Sequence, residues 1–491
     1  MRTTKLLMKQ EVKETPPHQF GGTIAAISTA QGEAGIAIIR MSGPASVSIA
    51  EKILKSPSSK SKSKSNSNSN SQAQALNNFK FKSPRVMSLA VLYLNNSPAD
   101  YVLSVYFKSP FSFTGEDMVE LHTHGGSLIA KLCLEELLKH GARLAEPGEF
   151  TRRAFLNNKI DLSQAESVLG IIKARSEEAL KSAARVMSGE LSNKILEIRD
   201  EILNIQGSIE IGLDFPEGEE PLINNLELLE QVNKIILNLS NLISDCKTGF
   251  LLREGAGVVI AGRPNVGKSS LLNALLNRRR AIVTDIPGTT RDIIEEAIII
   301  DGVYVRLIDT AGLRETDNII EADGINLARE ALNNADVKLW LMDASKEPDA
   351  QDLLYLQKFL DLNLDNCVIV LNKSDLEPKV LNLNLNKDLR IINISAKTGY
   401  NLDKLKNLII NLIVKDGSLN SGLNVSSKQL EELKSCENNL AEIKEAVVIN
   451  AGEVIIADLL NSARLSLERV LGIESSEVLL NSIFSRFCVG K

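Results

Sequence analysis

Residues 258–276 read VVIAGRPNVGKSSLLNALL, and this stretch decides the fold of the central part of the chain. Residues 262–269 fit the phosphate-loop pattern GxxxxGK[ST], between an apolar run typical of a strand and a second run typical of a helix. Main-chain N–H groups of such a loop, together with the helix N-terminus, bind phosphate oxygens. We expect Lys268 to act on the β- and γ-phosphates and Ser269 to bind Mg²⁺. The predicted contacts of this loop are Asn265, Val266, Gly267, Lys268, Ser269 and Ser270.

Three further motifs follow in the order that a guanine-nucleotide-binding domain requires, each at the predicted end of a strand. The aspartate of residues 309–312 (DTAG) would hold Mg²⁺ through water, and its glycine would donate to the γ-phosphate. Asp375, in residues 372–375 (NKSD), would accept from guanine N1–H and the 2-amino group, neither of which adenine offers. Residues 395–397 (SAK) would offer a main-chain N–H to guanine O6.

A Gly/Thr-rich loop at residues 284–290 lies between the phosphate loop and residue 309, and its composition suits a mobile switch. Thr290 would be a second magnesium ligand. The predicted nucleotide contacts beyond the phosphate loop are Thr284, Asp285, Ile286, Pro287, Gly288, Thr289, Thr290, Asp309, Thr310, Ala311, Gly312, Asn372, Lys373, Asp375, Ser395, Ala396 and Lys397.

Position 313 is leucine, where many GTPases have a glutamine that orients the attacking water. An apolar side chain cannot orient water, so another group must do so. The acidic candidates downstream are Glu315, Asp317, Glu321 and Asp323, each of which is also typical of a solvated loop.

The chain of 491 residues is long enough for about three domains. We predict a multidomain α/β and α+β protein: an N-terminal extension at 1–20, an α+β domain at 21–157 with a Ser/Asn/Lys-rich disordered insertion at 56–75, a helical domain at 158–252 and 417–491, and a GTPase domain at 253–416 inserted into it. The inserted domain alternates strand and helix patterns, which predicts a doubly wound, mostly parallel sheet.

Composition disfavours several further classes of protein. The net charge is −6 and aromatic residues are 4%, which disfavours a simple basic or base-stacking nucleic-acid binder. The longest apolar runs are too short for a membrane span, and no secretory signal is recognisable. We expect a cytoplasmic protein of bacterial type, with an organellar matrix as the alternative. Five cysteines, scattered and without a CxxC pair, indicate a reducing compartment and argue against a zinc site.

Several other strings carry a specific resemblance, over about 21–491 less the insertion: GIAIIRMSG at 35–43, FTGED at 113–117, PGEFTRRAFLNNKIDL at 147–162 and FCVGK at 487–491. Together with the nucleotide motifs, these make the chain similar to the MnmE (TrmE) family of tRNA-modification GTPases. The resemblance implies hydrolysis of GTP in the modification of the tRNA wobble uridine to an aminomethyl or carboxymethylaminomethyl derivative.

The resemblance also implies ligands and partners. The N-terminal domain would form a homodimer and bind 5-formyltetrahydrofolate or a related one-carbon folate through Arg40, Glu120, Lys159 and Lys491. K⁺ would be held by Asn265 and by the main chain of Thr284, Ile286 and Thr289, and dimerisation of the GTPase domain would activate hydrolysis. The flavoprotein MnmG would join in a heterotetramer that acts on tRNA.

Two residues receive catalytic roles from the same resemblance. Glu321 matches the glutamate that acts on the attacking water through another water molecule; Lys268, assigned above from the phosphate-loop motif, is the other residue expected to act in hydrolysis. Cys488 matches a tail cysteine that is a candidate catalytic residue; the alternative is a buried small side chain.

A second function remains open from the sequence. An Era- or Der-like GTPase of ribosome assembly would share the nucleotide motifs and bind RNA without chemistry on it. Such a switch would have no use for the set Arg40, Glu120 and Lys159 or for the terminal Cys-Val-Gly-Lys tail, and these features favour the modification enzyme.

Overall fold

The computed structural model describes residues 21–30, 32–57, 78–214, 224–276, 295–309, 332, 335–360, 366–377, 379, 389–414 and 419–491, with the main chain alone at 212–214, 295, 309, 358 and 420. The chain divides into two compact units, one formed by 1–165 with 475–491 and the other by 166–474. The predicted extension at 1–20 and most of the predicted insertion therefore lie outside the described residues.

The first unit is built on a seven-stranded sheet in the order β3-β4-β5-β6-β2-β1-β7. Neighbouring strands are antiparallel except β1 and β7, which are parallel. Its elements are β1 (Ile24–Ile27), β2 (Ala34–Ser42), α1 (Ser46–Ile53), β3 (Leu54–Lys55), β4 (Ser88–Leu94), β5 (Ser97–Phe107), β6 (Met118–Gly125), α2 (Ser127–Lys139), β7 (Arg143–Leu144) and α3 (Glu149–Leu156).

Alternation along the strands places the larger core of this unit on one face of the sheet, and a smaller cluster with Ile24, Met118 and Phe150 lies on the other. On β2, Ile39 and Met41 are buried, and Leu121 of β6 is buried opposite Ile39. Helices α1 and α2 contribute Ile49 and Leu137 to the same core. The strand and helix patterns of the sequence thus predicted this α+β layer correctly.

The C-terminal residues pack on the first unit. Helix α13 (Glu477–Phe484) lies against α3, where Arg152 donates to Glu477 at 2.7 Å and to Asn481 at 2.8 Å. Gly490, at φ +93°, leaves room for no side chain, because a Cβ there would lie 2.4 Å from the main-chain oxygen of Ile27. The chain therefore returns to its N-terminal domain, as the sequence led us to expect.

The second unit contains a helical bundle, joined to the first unit's chain by α4 (Leu162–Lys173). Its helices are α5 (Glu177–Met187), α6 (Glu190–Asp214), α7 (Asn225–Glu254), α11 (Ser427–Val448) and α12 (Glu453–Leu471). Apolar residues spaced three and four apart along α6, from Leu191 through Ile209, form one stripe that is buried in the bundle core. The helix continues to Asp214.

The sheet of the inserted domain has six strands in the order β13-β12-β11-β8-β10-β9. Five of them are parallel and β9 is antiparallel to β10. The elements are β8 (Ala256–Gly262), α8 (Lys268–Leu276), β9 (Glu295–Ile300), β10 (Val303–Asp309), β11 (Val337–Asp343), α9 (Ala350–Leu360), β12 (Cys367–Asn372), β13 (Arg390–Asn393) and α10 (Leu402–Ile413). The predicted mostly parallel sheet is confirmed.

Within the described ranges, no helix combines the length and the apolar character that crossing a bilayer requires.

We expect substitution by alanine to have opposite effects on stability at two glycines of the bundle. A Cβ on Gly249, in α7, would lie 1.9 Å from the main-chain oxygen of Leu423, whereas a Cβ on Gly207, in α6, would meet nothing within 4 Å. We expect Gly249→Ala to lower the free energy of unfolding by about 1–3 kcal/mol through overpacking. Gly207→Ala should raise it by about 0.5–1 kcal/mol because alanine favours a helix. Urea unfolding followed by circular dichroism measures both, and equal effects of the two changes would contradict the packing of residue 423 on α7.

Candidate nucleotide and one-carbon sites

The phosphate loop connects β8 to α8 and is shaped by two glycines with positive φ. Gly262 has φ +146°, and a Cβ there would lie 2.5 Å from the main-chain oxygen of Leu341. Gly267 has φ +100°, and a Cβ there would lie 2.3 Å from Nδ2 of Asn372. Only glycine fits both positions. The loop therefore presents its main-chain amides in front of the N-terminus of α8, which is the arrangement that binds phosphate.

The predicted phosphate and magnesium ligands stand at the start of α8. Lys268 is buried, and its Nζ donates to the main-chain oxygens of Gly262 at 2.9 Å and Arg263 at 3.0 Å. The ammonium group is thus held beside the loop. Ser269 and Ser270 follow on the first turn of α8, with exposed side chains. A serine hydroxyl is a hard oxygen ligand of the kind Mg²⁺ prefers, so Ser269 fits the ion.

Asn372 joins three segments of the nucleotide site. Its side chain is 2% exposed at the end of β12. Nδ2 donates to the main-chain oxygen of Val266 at 2.9 Å, and Oδ1 accepts from the main-chain N–H of Ala396 at 3.0 Å. The phosphate loop, the NKSD motif and the SAK motif are therefore fixed relative to one another by one amide.

Lys373 binds both the phosphate loop and the carboxylate of Asp343, a residue that was not predicted from the sequence. Its Nζ donates to the main-chain oxygen of Asn265 at 3.0 Å and to Asp343 at 2.6 Å. Burial alone would raise the pKa of Asp343, but hydrogen bonds from Lys373 and Ser345 hold it below its ordinary value. The available signal was an aspartate at the carboxyl end of β11, the edge where ligands of parallel sheets bind.

Asp375 and Ser395 lie together where the guanine base is expected. Ser395 Oγ donates to Asp375 Oδ1 at 2.7 Å, and this bond keeps the pKa of Asp375 below its ordinary value. The carboxylate is therefore ionised at neutral pH and ready to accept two hydrogen bonds from guanine. Ala396 and Lys397 follow in the same loop, with Lys397 exposed.

The remaining predicted nucleotide contacts lie outside the described residues. These are Thr284, Asp285, Ile286, Pro287, Gly288, Thr289, Thr290, Thr310, Ala311, Gly312 and the proposed catalytic Glu321. For Asp309 the structure gives the main chain, which ends β10. β10 runs parallel to β8, so the main chain of Asp309 lies at the same edge of the sheet as the phosphate loop.

A second cluster surrounds Arg40 in the first unit and includes one other predicted site residue, Glu120. Arg40 donates through Nε to Glu120 at 2.9 Å on the neighbouring strand. Its guanidinium carbon lies 5.8 Å from the ring centroids of both Phe113 and Phe150. Glu120 also approaches His122 Nε2 at 3.4 Å. The guanidinium is thus oriented by a carboxylate and two aromatic faces.

The tail reaches this cluster through Phe150. The main-chain N–H of Phe150 donates to the main-chain oxygen of Lys491 at 3.1 Å, and that of Gly148 donates to Cys488 at 3.4 Å. Lys159 lies beside the FTGED segment, since a Cβ on Gly115 would be 3.3 Å from its Cγ. Cys488 is exposed, so the alternative of a buried small side chain is wrong.

The fold and the first of these sites define a P-loop guanine-nucleotide-binding protein with additional domains. Residues 23–159 match the sequence family described as the GTP-binding protein TrmE N-terminus, and residues 162–488 match the MnmE helical domain. The tRNA modification GTPase MnmE of Carboxydothermus hydrogenoformans is 40% identical over 476 residues, which cover 96% of this chain and 99% of that protein. MnmE of Thermoanaerobacter pseudethanolicus is 41% identical over 475 residues, with the same coverage of both chains. The chain belongs to the MnmE family of tRNA modification GTPases.

Family membership decides between the two functions that the sequence left open. The chain is a GTP-hydrolysing enzyme of tRNA modification, and its match extends over the N-terminal domain that an Era- or Der-like switch lacks. A crystal structure of Era from Aquifex aeolicus is 28% identical where it aligns, covering 37% of this chain and 66% of that one, with a TM-score of 0.25.

The Asp375 carboxylate predicts a change of base preference. In Asp375→Asn, the amide would offer a donor where guanine also has donors, but it would suit xanthine, which has an oxygen at position 2. We expect GTP affinity to fall at least about 100-fold while XTP becomes the better ligand. Competition binding with GTP, XTP and ATP measures this. Glu377→Gln, an exposed carboxylate two residues on, is the matched control, and unchanged preference for GTP in Asp375→Asn would remove Asp375 from the base site.

Proposed function

We propose that this GTPase forms 5-carboxymethylaminomethyl and 5-aminomethyl uridine at the wobble position of tRNA, with a formyl-tetrahydrofolate as one-carbon donor and the flavoprotein MnmG as partner. The observation that carries this proposal is the cluster around Arg40. Three segments far apart in sequence converge there, and each carries residues matching the family's folate contacts.

The chemistry of the cluster suits a folate. The glutamate tail of a folate is anionic, and Arg40, Lys159 and Lys491 are cationic groups that can bind carboxylates. The pterin ring offers adjacent N–H donors, and a carboxylate such as Glu120 accepts from two of them. The rings of Phe113 and Phe150 provide apolar faces beside the guanidinium. When bound, the folate would supply the one-carbon unit.

The exposed face of the first unit supports the proposed homodimer. Ile36, Leu89, Tyr101 and Leu103 are all exposed. The strand registers place them on one face, since Ile36 pairs with His124 and Leu103 with both His122 and Leu89. An apolar patch on a sheet face is typical of a protein interface. The heterotetramer with MnmG and the binding of tRNA are proposed from the family alone.

The proposed potassium site centres on Asn265. Asn265 is exposed on the phosphate loop with φ +65°, a left-handed conformation that asparagine tolerates. An amide oxygen and main-chain oxygens suit a hard monovalent cation, and K⁺ would neutralise charge that develops on the phosphates. We propose that Thr284, Ile286 and Thr289 complete its ligands, that Thr290 is the second protein ligand of Mg²⁺, and that Glu321 acts on the attacking water.

GTP turnover should be much faster in KCl than in NaCl. A substitution of Asn265 tests the proposed site directly. Asn265→Gly keeps the left-handed conformation and removes the amide oxygen. We expect this variant to bind GTP within about threefold of the parent, because the change leaves the loop geometry intact, yet to hydrolyse it at equal rates in KCl and NaCl. A parent enzyme that turns over equally in both salts would refute the potassium site.

Arg40 and the tail should be required for folate binding. We expect Arg40→Ala, and separately removal of residues 488–491, to weaken 5-formyltetrahydrofolate binding at least about tenfold in isothermal titration, since each loses charge-assisted contacts. Cells carrying Arg40→Ala should lose the modified wobble uridines. The control is Arg85→Ala, which removes an exposed arginine stacked on Phe111 at 5.6 Å in the same unit. Full folate affinity in both altered proteins would overturn the folate proposal.

A further inference from the structure

The β9–β10 hairpin connects the two nucleotide-sensing segments of the GTPase domain. β9 begins a few residues after Thr290, and β10 ends at Asp309. The ladder between them is regular from the pair Val303–Ile300 to the pair Ile308–Glu295, without a bulge. β10 is also paired with β8 on its other side. The hairpin is therefore a stiff element, and a displacement at its phosphate end reaches its turn.

The turn at the far end of the hairpin packs against the helical domain. Asp301 and Gly302 both have positive φ, as tight hairpin turns require. A Cβ on Gly302 would lie 2.6 Å from Cγ of Glu178, in the first turn of α5. The turn thus contacts α5 with no space between them.

Tyr304 and Arg175 form a second contact beside the one between this turn and α5. Tyr304 is 8% exposed, and the guanidinium carbon of Arg175 lies 4.7 Å from the centre of its ring. Gly255 also lies close to the ring, since a Cβ there would be 2.5 Å from Cδ1 of Tyr304. The ring therefore contacts both the residue that follows α7 and the residue that precedes the N-cap of α5. A cation over an aromatic face in a desolvated place is a strong and directional contact.

Helix α5 extends from this contact into the other core of the unit. Ala179, near its start, packs with the strands of the GTPase domain, and Val186, near its end, packs in the bundle. Arg185 and Glu190 pair across the junction to α6. Helix α5 therefore connects the core of the GTPase domain to the core of the bundle. The covalent path through α7 and β8 enters the GTPase domain on a different strand.

We propose that Arg175 and Tyr304 form a clamp that passes the nucleotide state of the GTPase domain to the helical domain. Arg175 is a positioning residue, which acts on the hairpin through Tyr304 and touches no nucleotide. With the clamp closed, a shift of β10 on exchange of GTP for GDP moves α5. Without the contact between Arg175 and Tyr304, the turn moves relative to α5, and the shift of β10 leaves α5 in place. The proposal rests on GTP binding; the exchange measurement is independent of the folate and potassium sites, whereas the modification measurement rests also on the proposed function.

Hydrogen exchange of the full-length protein tests the clamp directly. Amide protection of residues 177–187 is compared with GDP and with a non-hydrolysable GTP analogue. We expect a clear difference in the parent protein and none in Arg175→Ala or Tyr304→Leu. Modification of wobble uridine should fall about tenfold in these two variants, while GTP turnover stays within about twofold of the parent.

Conservative variants separate coupling from folding. Arg175→Lys keeps a cation and Tyr304→Phe keeps the ring, so both should retain the difference in exchange. Arg199→Ala removes an arginine of α6 that pairs with Asp200, and it should behave as the parent. Three results would overturn the clamp: no nucleotide-dependent exchange in α5 of the parent, a retained difference with full modification in Arg175→Ala, or GTP turnover that falls in Arg175→Ala as much as modification does.

Discussion

The buried amide of Asn372 is the interaction on which the nucleotide site depends. One side chain must donate to the phosphate loop and accept from the SAK loop, and only an amide of this length does both. Its approach also leaves no room for a Cβ at residue 267. The glycine and the asparagine, over a hundred residues apart, therefore require each other. An aspartate there would place a carboxylate oxygen, which is an acceptor, against the main-chain oxygen of Val266, and a leucine would remove the donor that this oxygen now has.

In the first unit, a buried carboxylate and its two arginine partners hold a helix in place. Glu149, at the start of α3, is 2% exposed and accepts from Arg143 and Arg153. Burial alone would raise the pKa of Glu149, but the hydrogen bonds from Arg143, from the main chain of Glu146 and from Arg153 hold it below its ordinary value. A carboxyl whose pKa is lower in the folded state stabilises the fold at neutral pH, and this contribution is lost as pH falls through its folded pKa. The helix anchored in this way carries Phe150, which links Arg40 to the tail.

Local patterns in the sequence predicted much of this molecule. Alternating strand and helix patterns predicted the layers of the inserted domain, and the GxxxxGK[ST] motif with its flanking apolar runs predicted a strand, a loop and a helix together. Strand β9 was missed, although three isoleucines before the Asp-Gly pair at 301–302 are typical of a hairpin. The partners of Lys373 and Tyr304 could not be predicted, because Asp343 and Arg175 meet them only through tertiary packing. The contact of Phe150 with Arg40 was not predicted for the same reason, because the sequence around an aromatic residue does not show which arginine it packs against.

The docking of α13 on α3 has a consequence for the order of events during synthesis. Arg152 and Glu477 are separated by 325 residues, so the first unit's chain leaves the ribosome long before the segment that completes it. Until then Arg152, which is 5% exposed in the finished unit, has neither Glu477 nor Asn481 to bind. The earliest domain to be translated is thus the last to be completed, because a chain that ends before residue 477 leaves Arg152 without these two partners.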